Sequence, residues 1–79
     1  MSNLEKYNQV FKETFNVEGS QLAGLTYQSV SSWDSVGHMA MIATLEEAFD
    51  IMMETDDIID FSSYEKGMEI LTKNYNVQF

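Results

Sequence analysis

Trp33-Asp34-Ser35-Val36-Gly37-His38-Met39-Ala40-Met41-Ile42-Ala43-Thr44-Leu45-Glu46-Glu47-Ala48-Phe49-Asp50-Ile51 is the stretch that decides the fold. The Asp34 side chain can accept hydrogen bonds from free backbone amides, so a helix is expected to start just after it and run to about Ile51. One stripe, His38, Met41, Ile42, Leu45, Phe49 and Met52, repeats at helical spacing and is expected to face a core. The opposite stripe, Val36, Ala40, Ala43, Glu47 and Asp50, is small or apolar at its start and acidic at its end, the profile of a docking surface. Gly37 lowers helix propensity by up to ~1 kcal/mol relative to alanine, which predicts an adaptable first turn around Ser35.

Upstream, Leu4, Tyr7, Phe11 and Phe15 recur at helical intervals with Val10 beside them, predicting a helix from about Asn3 to Phe15. Ser2 followed three residues on by Glu5 reads as its capping box. The segment from Asn16 to Asp34 has no clean period and contains Gly19 and Gly24, so it reads as a loop, with a short helical turn near Ser20 to Leu25. Loops longer than ~12 to 15 residues are uncommon unless pinned or functional, and Leu22, Leu25, Tyr27, Val30 and Trp33 are the candidate pins. Downstream, Thr55 to Phe61 suits a short connecting helix whose first turn favours the negative charge of Asp56 and Asp57. A last helix is expected after Ser62, with Glu65 completing a second capping box and Tyr64, Met68, Leu71 and Tyr75 forming its apolar stripe, flanked by Ile70. The fold class is therefore all-α: one domain spanning 1–79, a four-helix bundle with three long helices, a long first loop and a short third helix.

Composition narrows the function. A chain of 79 residues buries only about 60% of its unfolded surface, so an elaborate enclosed active site is not expected and function should sit near the surface. The absence of cysteine excludes disulfides, thiolate metal sites and a cysteine nucleophile. Four lysines, no arginine and thirteen carboxylates give a net charge of −9, which disfavours nucleic-acid phosphates and anionic lipid and favours protein partners that present basic patches. No basic leader precedes an apolar run and no segment approaches the ~18 apolar residues of a membrane helix, so a cytoplasmic monomer without membrane insertion is expected.

Ser35 stands at the first turn of a helix, directly after a capping aspartate and a long loop. In Trp33-Asp34-Ser35-Val36 the chain resembles the acyl and peptidyl carrier protein family, whose signature is an Asp-Ser-Leu tripeptide opening the second of four helices. The run Leu45-Glu46-Glu47-Ala48-Phe49-Asp50-Ile51 is similar to the acidic run that the family places at the same distance after the serine, and helix lengths and loop positions match along essentially the whole chain. The resemblance implies that the protein is not an enzyme. Ser35 would be the covalent attachment point of 4′-phosphopantetheine, moved from coenzyme A by a phosphopantetheinyl transferase, with the terminal thiol holding an acyl or aminoacyl group as a thioester. It also implies a second role for Asp34, beside capping, in recognition by the transferase, and a docking role for Val36 in place of the family's leucine. The docking face it implies comprises Val36, Met39, Ala40, Ala43, Glu46, Glu47, Asp50, Met53 and Asp57, meeting acyl- or aminoacyl-loading ligases, synthases or transferases through basic patches. The absence of flanking modules predicts a discrete carrier, and Trp33 together with the sparse charge early in the helix suggests a specialised pathway: secondary-metabolite, surface-polysaccharide or aminoacyl transfer.

The acidic stretch from Asp50 fails as an EF-hand loop, because Met52 and Phe61 fall where oxygen ligands are required and Thr55 falls where glycine is required. A serine enzyme would need a base held by a third group, and the single His38 has no evident partner for that, so it is expected to pack at the edge of the bundle. Among the six methionines, Met39, Met41, Met52 and Met53 read as core filling, with an adaptable interior for an acyl chain as the alternative. A helical adaptor that keeps the carrier fold without modification is the remaining alternative function.

Overall fold

The computed structural model describes residues 2–79 and holds four α-helices with no strand among them. These are α1 (Asn3–Phe15), α2 (Ser35–Phe49), α3 (Thr55–Asp60) and α4 (Tyr64–Tyr75), with one 3-10 turn, Gly19–Gln21, in the first loop. No helix among the described residues is long and apolar enough to cross a membrane.

The three long helices begin and end for local reasons. Ser2 Oγ accepts from the Glu5 amide at 3.1 Å while the Glu5 carboxylate accepts from the Ser2 amide at 3.0 Å, the expected capping box, and this pairing holds the Glu5 carboxyl below the usual range. Asn16, Asp50 and Asn76 end α1, α2 and α4 in the left-handed region, at φ of 56°, 54° and 58°. The cap of α4 differs from expectation: Ser63, one residue after Ser62, accepts from the Lys66 amide, and Glu65 instead reaches across to the Gly24 amide at 2.9 Å. Glu65 thereby ties the first loop to α4.

That loop is pinned at both ends. Leu25 and Tyr27 pair with the start of α4 through Tyr64 N–H to Leu25 O and Tyr27 N–H to Ser62 O, each 2.9 Å. Val17, Leu22, Leu25 and Trp33 are buried, whereas Tyr27 is only partly covered. The core they join is aromatic: Trp33 stacks on Phe15 at 4.9 Å, and Phe11 stands among Tyr7, Trp33, Phe61 and Tyr64. Gly67 lets α4 lie against Phe61 and Tyr7, because a side chain there would collide with both rings.

The core-facing stripe of α2 is as expected up to Phe49 and fails only at Met52. Met41, Ile42 and Leu45 are buried and Phe49 half-buried, but Met52 is 85% exposed. The periodicity stops at Asp50, whose positive φ reverses the chain, so the helical interval no longer governs the residues beyond it. Met53, not Met52, turns inward there.

Candidate functional site

Ser35 is the first residue of α2, exposed, and lies on the rim of a cleft of about 300 Å³. The cleft is walled by Tyr27 from the loop, His38 and Met39 from α2, Ile59 from α3, and Phe61 and Ser62 from the segment before α4. Apart from the hydroxyls of Tyr27, Ser35 and Ser62 and the imidazole of His38, its walls are hydrocarbon or aromatic.

The start of α2 is tightly built. Asp34 Oδ1 accepts from the Gly37 amide at 2.8 Å and the Asp34 carbonyl accepts from the His38 amide at 2.7 Å. One further carbonyl, that of Ser32, packs against Gly37 so closely that a Cβ there would overlap it. Ser32 is itself held by its hydroxyl, which donates to the Phe15 carbonyl at 2.8 Å. The glycine admits the incoming chain at this turn, a role that its helix propensity does not show. The first turn of α2 holds no acidic residue, and the carboxylate of its cap, Asp34, is the nearest negative charge along the chain.

His38 is more than an edge residue. Its Nδ1 accepts from the Trp33 indole N–H at 3.0 Å and its Nε2 bonds the Ile58 carbonyl at 2.8 Å, so both nitrogens are engaged. The spacing of one histidine along a helix carries no signal for this contact, because Ile58 arrives from a separate element.

The nine residues of the expected docking face separate into two groups. Val36, Met39, Ala40, Ala43, Glu47 and Asp50 are exposed along one side of α2. The other three serve the fold: Met53 is buried, with its amide donating to Glu46 Oε2 at 2.9 Å, which also occupies Glu46. Asp57 accepts from the Tyr75 hydroxyl at 2.6 Å and from Asn74 Nδ2 at 2.9 Å, fastening α3 to α4. Met53 is thus buried where it was expected at the surface, while Glu46 and Asp57 stay half-exposed and bond within the fold as well. Ile59, exposed to 72% beside the cleft, joins Val36, at 78%, as an apolar residue of the Ser35 surround that helical spacing within α2 had no means of indicating.

Charge is distributed unevenly. Eight of the thirteen carboxylates and none of the four lysines fall between residues 34 and 60. Lys66 and Lys73 pair with Glu69 on α4, at 3.8 and 2.9 Å, and hold its carboxyl below the usual range. Lys6 lies over the Phe49 ring at 5.7 Å. Among the described residues no ion pair involves a carboxylate of α2 or α3, and no group of three or more metal-ligating side chains is disposed to hold an ion. The α2–α3 side is thus a negative surface with an apolar rim at Ser35.

No protein-family model, curated protein or solved structure matches the chain.

Proposed function

We propose that the protein is an acyl carrier of the phosphopantetheine-dependent kind, with Ser35 as the attachment point. The observation that carries this reading is the setting of one hydroxyl: Ser35 Oγ stands exposed at the capped start of α2, on the rim of an apolar cleft. Transfer of the phosphopantetheinyl group from coenzyme A joins Ser35 Oγ to phosphorus, releases the adenosine bisphosphate and leaves a phosphodiester anion. Free amides and the dipole at a helix N-terminus favour an anion at that position. The four-helix order with its long first loop is then the carrier-type bundle.

In this reading the protein catalyses nothing. Separate ligases, synthases or transferases load and unload the thioester, approaching the negative α2–α3 side with basic patches. The cleft favours an acyl over an aminoacyl cargo, because none of its seven lining residues is an acid that would pair an ammonium group brought in from water. An unmodified helical adaptor is the competing function, and one experiment separates the two. Incubation with a phosphopantetheinyl transferase and coenzyme A is expected to add one phosphopantetheinyl group to the wild type, read by intact mass, and nothing to Ser35→Ala. Unchanged mass of the wild type, or equal gain on both proteins, rejects the carrier reading.

A further inference from the structure

His38 joins three separate elements. Its ring lies side by side with that of Trp33, planes 13° apart and centroids 6.2 Å apart, and Tyr27 and Phe61 stand edge-on to it at 5.7 and 6.1 Å. An indole N–H only donates, so Nδ1 must carry a lone pair; a carbonyl only accepts, so Nε2 must carry the hydrogen. The two bonds together select one neutral tautomer. Each also satisfies a group with few alternatives: Trp33 is fully buried, and Ile58 lies in the last turn of α3, where helix carbonyls have no partner within the helix.

The element at the far end of this bond is short, and its Ile58 is half-buried against the core. α3 is six residues long, buries no side chain completely, and is too short to be stable as an isolated helix. Its first turn is fastened by Asp57 to Tyr75 and Asn74, and by the Glu54 amide donating to the Tyr75 hydroxyl at 2.7 Å. Its last turn, which carries Ile59 into the cleft wall opposite Ser35 and Met39, is tied by His38 Nε2–H to Ile58 O, before the chain turns inward at buried Phe61.

We propose that His38 is a positioning residue, a latch whose Nε2–H tautomer holds the last turn of α3 in the wall of the Ser35 cleft. Release of the bond to Ile58 frees Ile59 and widens the cleft, while the hinge at Asp57 and the bundle itself stay in place. The consequence for cargo at Ser35 rests on the carrier reading; the latch does not, so it is tested on the unmodified protein.

Long-range proton–nitrogen NMR correlation of the single imidazole at neutral pH is expected to show Nε2 protonated and Nδ1 bare. The opposite tautomer, or an averaged mixture, overturns the proposal. Amide exchange supplies the second measurement. His38→Phe keeps an aromatic ring and removes both bonds; it is expected to speed exchange of the Ile58 to Phe61 amides at least about fivefold, the scale of one lost hydrogen bond, relative to α1 and α4. His38→Gln places an amide N–H near the Nε2 position and is expected to restore slow exchange in those four amides. Equal acceleration across all helices in His38→Phe, or no rescue by glutamine, overturns the latch. Failure of Ser35 to accept phosphopantetheine would leave both measurements standing.

Discussion

The carbonyl oxygen of Ser32 occupies the space that a side chain on Gly37 would need, well inside the 3.0 Å below which Cβ contacts are not seen. Residue 37 is therefore where the first loop and the start of α2 touch, and the serine between them is held by that contact as well as by the Asp34 cap.

Gly37→Ala should consequently destabilise the protein. Helix propensity alone favours alanine by up to ~1 kcal/mol, but overpacking against backbone typically costs about 1–3 kcal/mol. The expected net result is a loss of up to about 2 kcal/mol in urea unfolding, the difference of those two effects. A stability gain would mean that the Ser32 carbonyl moves aside freely.

Asp34 should separate its two roles by substitution. Asp34→Ala removes the acceptor of the Gly37 amide and is expected to cost about 1 kcal/mol, a drop of about 4–8 °C in Tm for a domain of this size, while Asp34→Asn keeps the cap and stays within a few tenths. If the carrier reading holds, Asp34→Asn nevertheless slows modification of Ser35 by the transferase. Equal loss of stability in both variants would show that the charge, not the cap, is what matters.

Carboxylates on the α2–α3 side should divide by their contacts. Asp57→Ala strips acceptors from Tyr75 and Asn74 and is expected to destabilise by about 1–3 kcal/mol, whereas exposed Glu47→Lys should stay within about 0.5 kcal/mol of wild type. Glu47→Lys is expected instead to slow loading by a partner enzyme at low salt, with the difference shrinking as salt rises. Thermal melts and loading rates measured side by side check both halves.

Alkaline pH should unfold the protein through its tyrosines. Tyr7 is buried with its hydroxyl donating to the Tyr64 carbonyl at 2.7 Å, and burial, then the neighbouring Tyr64 and Glu65 charges, push its ionisation far above the usual value. Tyr64 is pushed up by burial and Glu65, and Tyr75 by burial and its bond to Asp57. The folded state thus holds phenolic protons that the unfolded chain releases from about pH 10, so the tyrosine contribution to stability is constant below that pH and falls above it. The slope due to Tyr7 alone approaches about 1.4 kcal/mol per pH unit. Urea midpoints between pH 8 and pH 11, compared with Tyr7→Phe, check the sign: the wild type should lose stability more steeply than the variant.

Local chemistry determined much of this protein. The Ser2–Glu5 box, the Asp34 cap, the stripes Tyr7-Phe11-Phe15 and Met41-Ile42-Leu45, and the acidic first turn of α3 all depend on residues within one or two turns of each other, so spacing alone was enough to locate the helices and to put Ser35 at the head of α2. Legibility lapsed where the chain reverses. Just past Asp50 the interval of α2 no longer tells which side faces inward, and Met52 and Met53 exchange places relative to the extrapolated stripe, whereas Tyr64, Ile70 and Leu71 of α4 face inward as their spacing implies. Tertiary structure alone decided that Glu46 and Asp57 bond to Met53 and Tyr75, that Gly37 makes room for Ser32, and that His38 meets Trp33 and Ile58 around a cleft at Ser35. The physical reason is common to all of them: a hydrogen bond or a close contact between elements depends on where the loops bring distant residues, whereas a cap or an apolar stripe is set by neighbours along the chain.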